Sequence, residues 1–262
     1  MRIKDWIKIL VLVGIAFLIP RTMLFFLICG LLDFRRSKRY QLVDVKRYFL
    51  GNGILTWVLS PFNLLMDLIS QRNKRIYKFG NLSYSCQNEI NKVIATAKNK
   101  PEIITALGNL MEEKKRGMIF FKWYGKNITN KALNIPEFHE QFRYIKTIGV
   151  SVFNKNQSTS IHYGPLRVTL RVLFNLNASF NNNIYIEAAN QRHYWHDNPL
   201  FIFDDTLVHQ SVNRSDQLRY CMFIDILRPS DYIPLLNSIL SCLRVLIISF
   251  NRIFYKNWDM IK

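Results

Sequence analysis

Residues 200–229 read LFIFDDTLVHQSVNRSDQLRYCMFIDILRP, which is two apolar, β-branched runs separated by a polar segment. Short runs of this kind, bounded by Asp, Asn and Ser, are typical of β-strands. We therefore predict strands over Leu200–Phe203 and Leu218–Ile226. Four upstream runs share this composition and are separated by Asn, Gly, Pro and Asp: Met118–Trp123, Tyr144–Phe153, Arg167–Leu176 and Asn183–Ala189. Many short strands joined by turns indicate an all-β barrel or sandwich.

Two helices are expected in front of the β-rich region. Apolar side chains recur there at intervals of three and four residues, which is the spacing of one helix face. The positions are Ile90, Val93, Ile94 and Ala97, followed by Ile103, Ile104, Leu107, Leu110 and Met111. Pro101 lies between the two groups and predicts the break between the helices.

The N-terminal region is strongly apolar. Residues 9–32 are nearly all apolar, and in a helix they would extend about 36 Å, enough to cross a bilayer. Pro20 and Arg21 interrupt the middle, which leaves both a kinked span and a re-entrant pair of half-helices open. A cleaved signal peptide fits poorly, because the stretch is too long and no small-residue cleavage site follows. We predict an N-terminal membrane segment with a transmembrane helix.

The charge balance points to an anionic partner. Lysine and arginine number 36 and aspartate and glutamate 18, so the formal net charge is +18. No RNP, zinc-finger or helix-turn-helix pattern is present, so nucleic acid is not expected as a partner. The basic residues after the apolar segment favour an anionic lipid surface and place the rest of the chain on the cytosolic side of a membrane. They are Arg35, Arg36, Lys38, Arg39, Lys46 and Arg47.

These patterns divide the chain into four parts. Residues 1–47 form the membrane segment with its basic flank, and residues 48–84 form an apolar membrane-surface or connecting segment. Residues 85–230 form the β-rich domain with its two leading helices. Residues 231–262 contain an apolar run from Tyr232 to Tyr255. We expect a C-terminal helix there, lying against the core or the membrane surface, with a span as the alternative.

Four cysteines are present, and no two of them form a CxxC pair. They are Cys29, Cys86, Cys221 and Cys242. We expect buried free thiols rather than a disulfide framework or a zinc site.

Two histidines stand out because each is followed by an arginine in the next strand. His162 precedes Arg171 by nine residues, and His209 precedes Arg219 by ten. Imidazole is a suitable ligand for Fe(II), and the planar guanidinium binds a carboxylate with two hydrogen bonds. Oxidative decarboxylation of a keto acid at an iron centre requires ligands for the metal, here two histidines, and a cation that binds the keto acid, here an arginine. The spacing is equally consistent with histidines and arginines that are ordinary hydrogen-bonded residues of β-strands.

Both segments resemble the aspartyl/asparaginyl β-hydroxylase family of Fe(II)/2-oxoglutarate dioxygenases. The matching motifs are His162-Tyr-Gly-Pro with Arg171, and Phe203-Asp-Asp-Thr…His209…Asn213-Arg-Ser-Asp…Arg219, running into Phe223-Ile-Asp-Ile-Leu-Arg-Pro229. The resemblance covers about residues 150–229. It implies a mainly β fold, a double-stranded β-helix (a cupin-like jelly roll), with flanking helices added.

The resemblance also implies a role for each matched residue. His162 and His209 would be the iron ligands, with no catalytic residue beyond the metal centre. Arg219 would bind the distal carboxylate of 2-oxoglutarate, and Arg171 the carboxylate next to the keto group. Ser151, eleven residues before His162, falls where the family has a serine that touches the cosubstrate.

Two positions depart from related patterns. Gly164 stands where most 2-oxoglutarate oxygenases have a carboxylate that completes a facial triad. Glycine is normal there in the aspartyl/asparaginyl β-hydroxylase family, whereas lipid A hydroxylases, similar in the second block, carry an aspartate after the first histidine. Leu173 stands where family members usually place a histidine near the cosubstrate, so one polar contact is lost.

The sequence therefore predicts a dioxygenase that uses Fe(II), 2-oxoglutarate and O2 to hydroxylate an unactivated C–H bond. Its substrate is a peptidyl aspartate or asparagine, as the family name implies. The alternative is a lipid, such as a lipid A acyl chain, which the apolar segments and the charge suggest. An alternative of another class is a non-catalytic membrane-associated binding module, for which Leu173 is the one indication.

Overall fold

A computed structural model of the chain describes residues 3–51, 55–109, 111, 115–130, 133–248 and 259–260. The α-helices are α1 (Ile3–Leu18), α2 (Pro20–Arg35), α3 (Leu42–Lys46), α4 (Leu55–Val58), α5 (Ser60–Ile69), α6 (Tyr84–Lys98), α7 (Glu102–Asn109) and α8 (Ile233–Ile248). A π-helical turn covers Arg47–Gly51, and short 3-10 turns cover Phe79–Asn81 and Pro136–His139.

The strands are β1 (Ile76–Tyr77), β2 (Arg116–Trp123), β3 (Lys126–Asn127), β4 (Ile145–Phe153), β5 (Thr169–Asn175), β6 (Ile184–Ala188), β7 (Gln191–Tyr194), β8 (Leu200–Phe203), β9 (His209–Asn213), β10 (Arg219–Leu227) and β11 (Asp259–Met260). The six strands predicted from the sequence are confirmed to within two residues at each end. Strand β9, which begins at His209, was not predicted, because its sequence HQSVN is polar.

Two sheets form the β-rich domain. The major sheet has the order β1-β8-β5-β10-β4-β2-β11, with β3 paired to β2, and the minor sheet has the order β7-β6-β9. All pairs are antiparallel except β11 with β2. The domain is therefore mainly β, built from antiparallel sheets, with helices on its flanks.

Side-chain alternation gives the major sheet two different faces. Along β10, Tyr220, Met222 and Ile224 belong to a large apolar cluster that contains residues of α6 and α7. The intervening Cys221 and Phe223 pack in a second cluster with β6 of the minor sheet. This second face, which we call the inner face, lies opposite the minor sheet. Because both faces are covered, every residue of β10 is buried.

Residues 9–32, where we predicted a transmembrane helix as a kinked span or a pair of half-helices, form two separate helices, α1 and α2. The chain leaves the helical region at Ile19, whose φ is −135° and ψ 64°, and α2 starts at Pro20. Proline disfavours helical dihedral angles in the residue before it, here Ile19, for steric reasons. Proline itself fits the first helical position because no hydrogen bond needs its missing N–H. Among the described residues, no helix is both long and apolar enough to cross a membrane.

Helices α2–α5 pack onto the β-rich domain. Met23, Phe34, Tyr48 and Trp57 form an apolar cluster with Tyr163 and Val208. The π-helical turn around Tyr48 follows α3 directly. This helical layer therefore reaches both segments that carry the predicted iron ligands.

The C-terminal apolar run forms α8 as far as Ile248, and the predicted stretch from 249 to 255 lies outside the described residues. Leu236 and Leu240 of α8 pack with Met66 of α5 and Leu227 of β10. Cys29, Cys86 and Cys221 are buried free thiols, as expected. Cys242 is exposed, contrary to expectation, because it lies on the side of α8 that faces away from this cluster.

Candidate active site

The two predicted metal ligands lie side by side. His209 begins β9, and His162 pairs with it as an isolated antiparallel bridge. The bridge has two backbone hydrogen bonds, of 3.1 Å from the His162 N–H and 3.0 Å from the His209 N–H. The ring centroids are 4.1 Å apart. The polar segment 158–162 thus continues the minor sheet beyond β9 and brings together two residues 47 positions apart in the chain.

Backbone carbonyls set the tautomer of both rings. Nδ1 of His162 lies 2.7 Å from the carbonyl oxygen of Ser160, and Nδ1 of His209 lies 2.9 Å from that of Leu207. Because a carbonyl only accepts, each Nδ1 carries the proton and donates it. The lone pair of each Nε2 is then available to a metal ion. A hydrogen bond from the other ring nitrogen is the usual support of a metal-binding histidine.

Both imidazoles are neutral at physiological pH. Desolvation lowers the pKa of His162 to about 4, although its bond to the Ser160 carbonyl acts in the opposite direction. Desolvation and the neighbouring His162 lower the pKa of His209 well below its usual value. Neutral imidazole is the form that binds a metal.

Gly164 has no room for a side chain. A Cβ atom at this position would lie 2.8 Å from the carboxyl carbon and from the backbone oxygen of Asp205. The Gly164 N–H donates to that same backbone oxygen at 2.7 Å. A ligand carboxylate at position 164 is therefore excluded by Asp205. Among the described residues, no group of three or more His, Cys, Asp or Glu side chains forms a metal site, so the protein would supply two imidazoles.

Arg171 lies between two carboxylates of the protein. Its Nη2 is 2.8 Å from Asp205 Oδ2, its Nε is 2.7 Å from Asp225 Oδ1, and its guanidinium stacks 3.7 Å above the Phe223 ring. Burial raises the pKa of Asp205 to about 7, while Arg171 acts to lower it. The predicted role of Arg171 as a partner of the cosubstrate carboxylate remains a prediction. The contacts present make Arg171 the group that holds Asp205 beside Gly164.

Arg219 is a buried cation with unused hydrogen-bond donors. Its exposed fraction is 1 %, and no described residue accepts a hydrogen bond from its Nε or Nη1. The guanidinium lies 4.4 Å from the ring centroid of Phe153 and 5.4 Å from that of Trp195. Burial lowers its pKa. A buried charge ordinarily has an opposite charge beside it, so this guanidinium fits a site for the carboxylate of a ligand.

Ser151 and Leu173 lie on the same inner face as Arg219. Cys221, two residues after Arg219 on β10, is in register with Ser151 on one side. The Ser151 hydroxyl donates to the Cys221 carbonyl at 3.2 Å. Leu173 is in register with Phe223 on the other side and packs in the apolar cluster between the sheets. Leu173 thus adds an apolar wall where a histidine would have added a polar contact.

Some residues of the site were not predicted. Phe153 and Trp195 flank Arg219, but an aromatic residue in or next to a strand usually belongs to the core, and no sequence signal separates these two. The neighbouring His193 and His196 do not join the metal pair. Nε2 of His193 lies 2.8 Å from the Asn198 carbonyl, and Nδ1 of His196 lies 2.8 Å from the Asp197 carboxylate.

Comparisons with known proteins assign the chain to a family. The chain is 29% identical over 86 residues to an ornithine lipid ester-linked acyl 2-hydroxylase from Rhizobium tropici, and the match spans 32% of this chain and 31% of that protein. It therefore covers about a third of the curated relative. The family model of aspartyl/asparaginyl beta-hydroxylase matches residues 86–229, which is more than half of the chain.

Two solved structures are similar over part of the chain. The TT1209 protein from Thermus thermophilus has a TM-score of 0.27 and 11% identity over 34% of this chain and 79% of that one. An oxidoreductase of the 2OG-Fe(II) oxygenase family from Burkholderia pseudomallei has a TM-score of 0.30 and 12% identity over 49% of this chain and 77% of that one. The TM-scores of these two structures are too low to support an assignment, which rests on the family model alone. On that match, the chain belongs to the aspartyl/asparaginyl β-hydroxylase family.

Proposed function

We propose that this protein is an Fe(II)- and 2-oxoglutarate-dependent hydroxylase. His162 and His209 would hold the iron through their Nε2 atoms, and Arg219 would hold the distal carboxylate of 2-oxoglutarate. When bound, iron with 2-oxoglutarate and O2 would supply the oxidant for an unactivated C–H bond. In this proposal the two facing sheets are the double-stranded β-helix of the family.

The observation that carries the proposal is the buried guanidinium of Arg219 on the inner face, whose Nε and Nη1 have no hydrogen-bond partner in the described part of the chain. Arg219 and Cys221 belong to the inner face of β10, and His209 is in register with Ala188, which packs in the cluster between the sheets. A dicarboxylate that reaches a metal on the histidines with one end can pair with Arg219 at the other. A metal-only site would not need this buried cation.

In this proposal, the apolar side chains around the site keep water out and hold the cosubstrate in one orientation. Phe203 lies 5.2 Å from the His209 ring and is in register with Arg171. Leu173 and Phe201 extend the apolar wall on the same face. A dry site strengthens the interaction between Arg219 and a bound carboxylate. It also protects a reactive centre from side reactions.

Turnover of 2-oxoglutarate tests the activity. Purified protein with Fe(II), ascorbate and a panel of substrates is expected to form succinate. His209→Ala is expected to abolish this turnover together with Fe(II) binding, and His196→Ala, outside the pair, is expected to retain both. An inactive wild-type protein that binds no iron would contradict the proposal. A wild-type protein that binds Fe(II) and 2-oxoglutarate without turnover would support the alternative of a non-catalytic binding module.

The substrate has two candidates. A peptidyl aspartate or asparagine is what the family name suggests. A lipid acyl chain is favoured by the name of the Rhizobium tropici relative. It is also favoured by the large apolar side chains that are exposed between Trp6 and Leu32, thirteen of them among the side chains that the structure describes. Incubation with peptide and lipid fractions, followed by mass spectrometry for the gain of one oxygen atom, distinguishes the two.

Attachment to a membrane surface is part of the proposal. The exposed apolar side chains of α1 and α2, with the exposed Arg35 and Lys38 after them, suit an anionic lipid surface. We place the β-rich domain on the cytosolic side because the basic flank follows the apolar helices. Protease digestion of sealed vesicles tests this orientation, and a protected β-rich domain would contradict it.

A further inference from the structure

A buried ion network joins the end of α2 to the loop that precedes His209. Arg36, directly after α2, places its Nη2 2.8 Å from Oδ2 of Asp204 and its Nη1 3.2 Å from Oδ1 of Asp33. Arg228, after β10, contacts the same Asp204 oxygen at 3.0 Å. The side chain of Asp204 is completely buried. Desolvation would raise the pKa of Asp204, but Arg228 and Arg36 outweigh it and lower the pKa to about 2.

Asp204 holds the backbone that carries His209. Its Oδ1 accepts hydrogen bonds from the Thr206 N–H at 3.0 Å and the Thr206 hydroxyl at 2.6 Å. Its backbone carbonyl accepts from the Leu207 N–H at 3.2 Å. The Leu207 carbonyl is the acceptor that orients the His209 ring through Nδ1. A continuous series of contacts therefore runs from Arg36 to this imidazole.

Apolar contacts connect the same helical layer to both ligands. Tyr163, next to His162, and Val208, next to His209, pack in one cluster with Phe34 of α2. The layer thus touches the chain beside each histidine, and a shift of α2 would be transmitted to both.

A second ion pair reaches the minor sheet. Arg39 lies 2.8 Å from the buried Asp44 and 3.2 Å from Glu187 of β6. Glu187 precedes Ala188, the register partner of His209. The segment after α2 is therefore attached to the strand beside His209 as well as to its loop.

We propose that Arg36 is a positioning residue for His209, acting through Asp204, so that helix α2 helps to set the geometry of the metal site. The proposal rests on the proposed function. Residues 33–36 lie outside the part of the chain that matches the family, residues 86–229. Helix α2 is thus a structural part of the site as well as a candidate membrane attachment.

The test compares Arg36→Gln with Arg35→Gln, in which the neighbouring exposed arginine is changed. Arg36→Gln is expected to speed hydrogen exchange of amides 205–209 in the metal-free protein. It is also expected to weaken Co(II) binding, followed by visible absorption, roughly 10-fold, the lower end of the effect of changing groups that orient a metal ligand. Arg35→Gln is expected to match the wild type in both measurements.

A third variant separates positioning from a general loss of stability. Asp33→Asn removes a carboxylate from the same network but leaves the contact between Arg36 and Asp204 in place. We expect it to lower the urea midpoint while Co(II) affinity stays close to that of the wild type. The inference would be overturned if Co(II) affinity fell equally in Asp33→Asn and Arg36→Gln, or in neither. Wild-type protein that binds no Co(II) would instead contradict the proposed function.

Discussion

Arg219 shows how a single residue can point to a ligand. Burying a charge costs several kcal/mol unless an opposite charge is beside it. Beside Arg219 the structure places two aromatic rings, and no residue that it describes accepts a hydrogen bond from Nε or Nη1. Rings stabilise a cation only in part. A ligand carboxylate would offset the rest, so occupancy of the site and stability of the protein should be coupled.

Arg219→Met is expected to stabilise the ligand-free protein while abolishing its response to 2-oxoglutarate. Removing the unpaired charge should raise the free energy of unfolding by about 1–3 kcal/mol. The wild-type melting temperature should rise with 2-oxoglutarate, and that of the variant should not. Arg192→Met, on an exposed arginine of β7, is the control and should leave both properties unchanged. A destabilised variant that still responds to 2-oxoglutarate would contradict the assignment.

At Gly164, in contrast to Arg219, we expect substitutions to destabilise the protein. Because an added Cβ would meet Asp205 at 2.8 Å, Gly164→Asp is expected to displace that residue and to weaken Co(II) binding rather than tighten it. Gly164→Ala should destabilise the protein by about 1–3 kcal/mol, as overpacking does. Gly80→Ala, where a Cβ would meet nothing within 4 Å, is the control. Tighter Co(II) binding by Gly164→Asp would show that position 164 can accept a ligand carboxylate.

The histidine pair should make stability depend on pH. The pKa of His162 is about 4 in the folded protein and 6.5 in the unfolded chain, and that of His209 is also lowered. Between these values the unfolded chain binds more protons, so the free energy of unfolding falls as pH falls from about 6.5 to 4. The difference between 6.5 and about 4 at His162 corresponds to roughly 3 kcal/mol over this window, and His209 acts with the same sign.

Urea unfolding of the wild type and of a variant without the two histidines, at pH 7 and at pH 5, measures the contribution of the histidine pair. The double variant His162→Gln/His209→Gln should lose less stability on acidification than the wild type. Asp205 and Asp33, whose pKa values burial raises to about 7 and about 6, act with the opposite sign but are present in both proteins. Equal pH dependence of the two proteins would contradict neutral buried imidazoles.

At the scale of elements, the N-terminal helices differ in their attachment to the domain. In α1, Leu10, Phe17 and Leu18 are exposed, and Leu12 packs only at the edge of the apolar cluster. In α2, Asp33 is buried against Arg167, which is itself buried and contacts Asp67 at 2.8 Å. By their described side chains, α1 is therefore peripheral, whereas α2 is part of the core.

Deletion of residues 1–19 is expected to leave a folded protein that binds Co(II), because the described side chains of α1 are mostly exposed. The free energy of unfolding should fall by an amount on the order of 2 kcal/mol. Deletion of residues 1–41 removes Asp33, one partner of the buried Arg167, and Arg36, one partner of the buried Asp204. Breaking a buried ion pair costs about 3–5 kcal/mol, so this variant should not fold stably. Urea unfolding measures both, and a stable, metal-binding product of the longer deletion would show that α2 is dispensable.

At the scale of the whole molecule, apolar and basic residues are concentrated at one end of the chain. Large exposed apolar side chains of α2 include Phe25 and Ile28, and the basic residues 35–47 follow directly. Apolar side chains inserted into lipid and cations near anionic headgroups both stabilise attachment to a membrane surface.

Phe25→Asp/Ile28→Asp is expected to weaken binding to anionic vesicles by at least about tenfold, since each side chain contributes roughly 1.5 kcal/mol or more when buried. Vesicle co-sedimentation measures this, and added salt should weaken wild-type binding because it screens the charges. Phe180→Asp, on an exposed loop of the β-rich domain, is the control. Unchanged binding by the double variant would show that α2 does not contact the lipid.

Periodicity and turn residues act locally, so the amino-acid sequence was enough to predict the mainly β class, the six main strands and the two helices before them. Its motifs also led to the prediction that His162 and His209 are metal ligands and that Arg219 binds a carboxylate. Three further features became visible only in the folded chain: Pro20 divides the apolar N-terminus, Asp205 and Asp225 hold Arg171, and no described residue accepts a hydrogen bond from Nε or Nη1 of Arg219. The tertiary structure alone connected Arg36 to His209, because ion pairs between residues 168 positions apart, as in Arg36 with Asp204, depend on packing that no local pattern specifies.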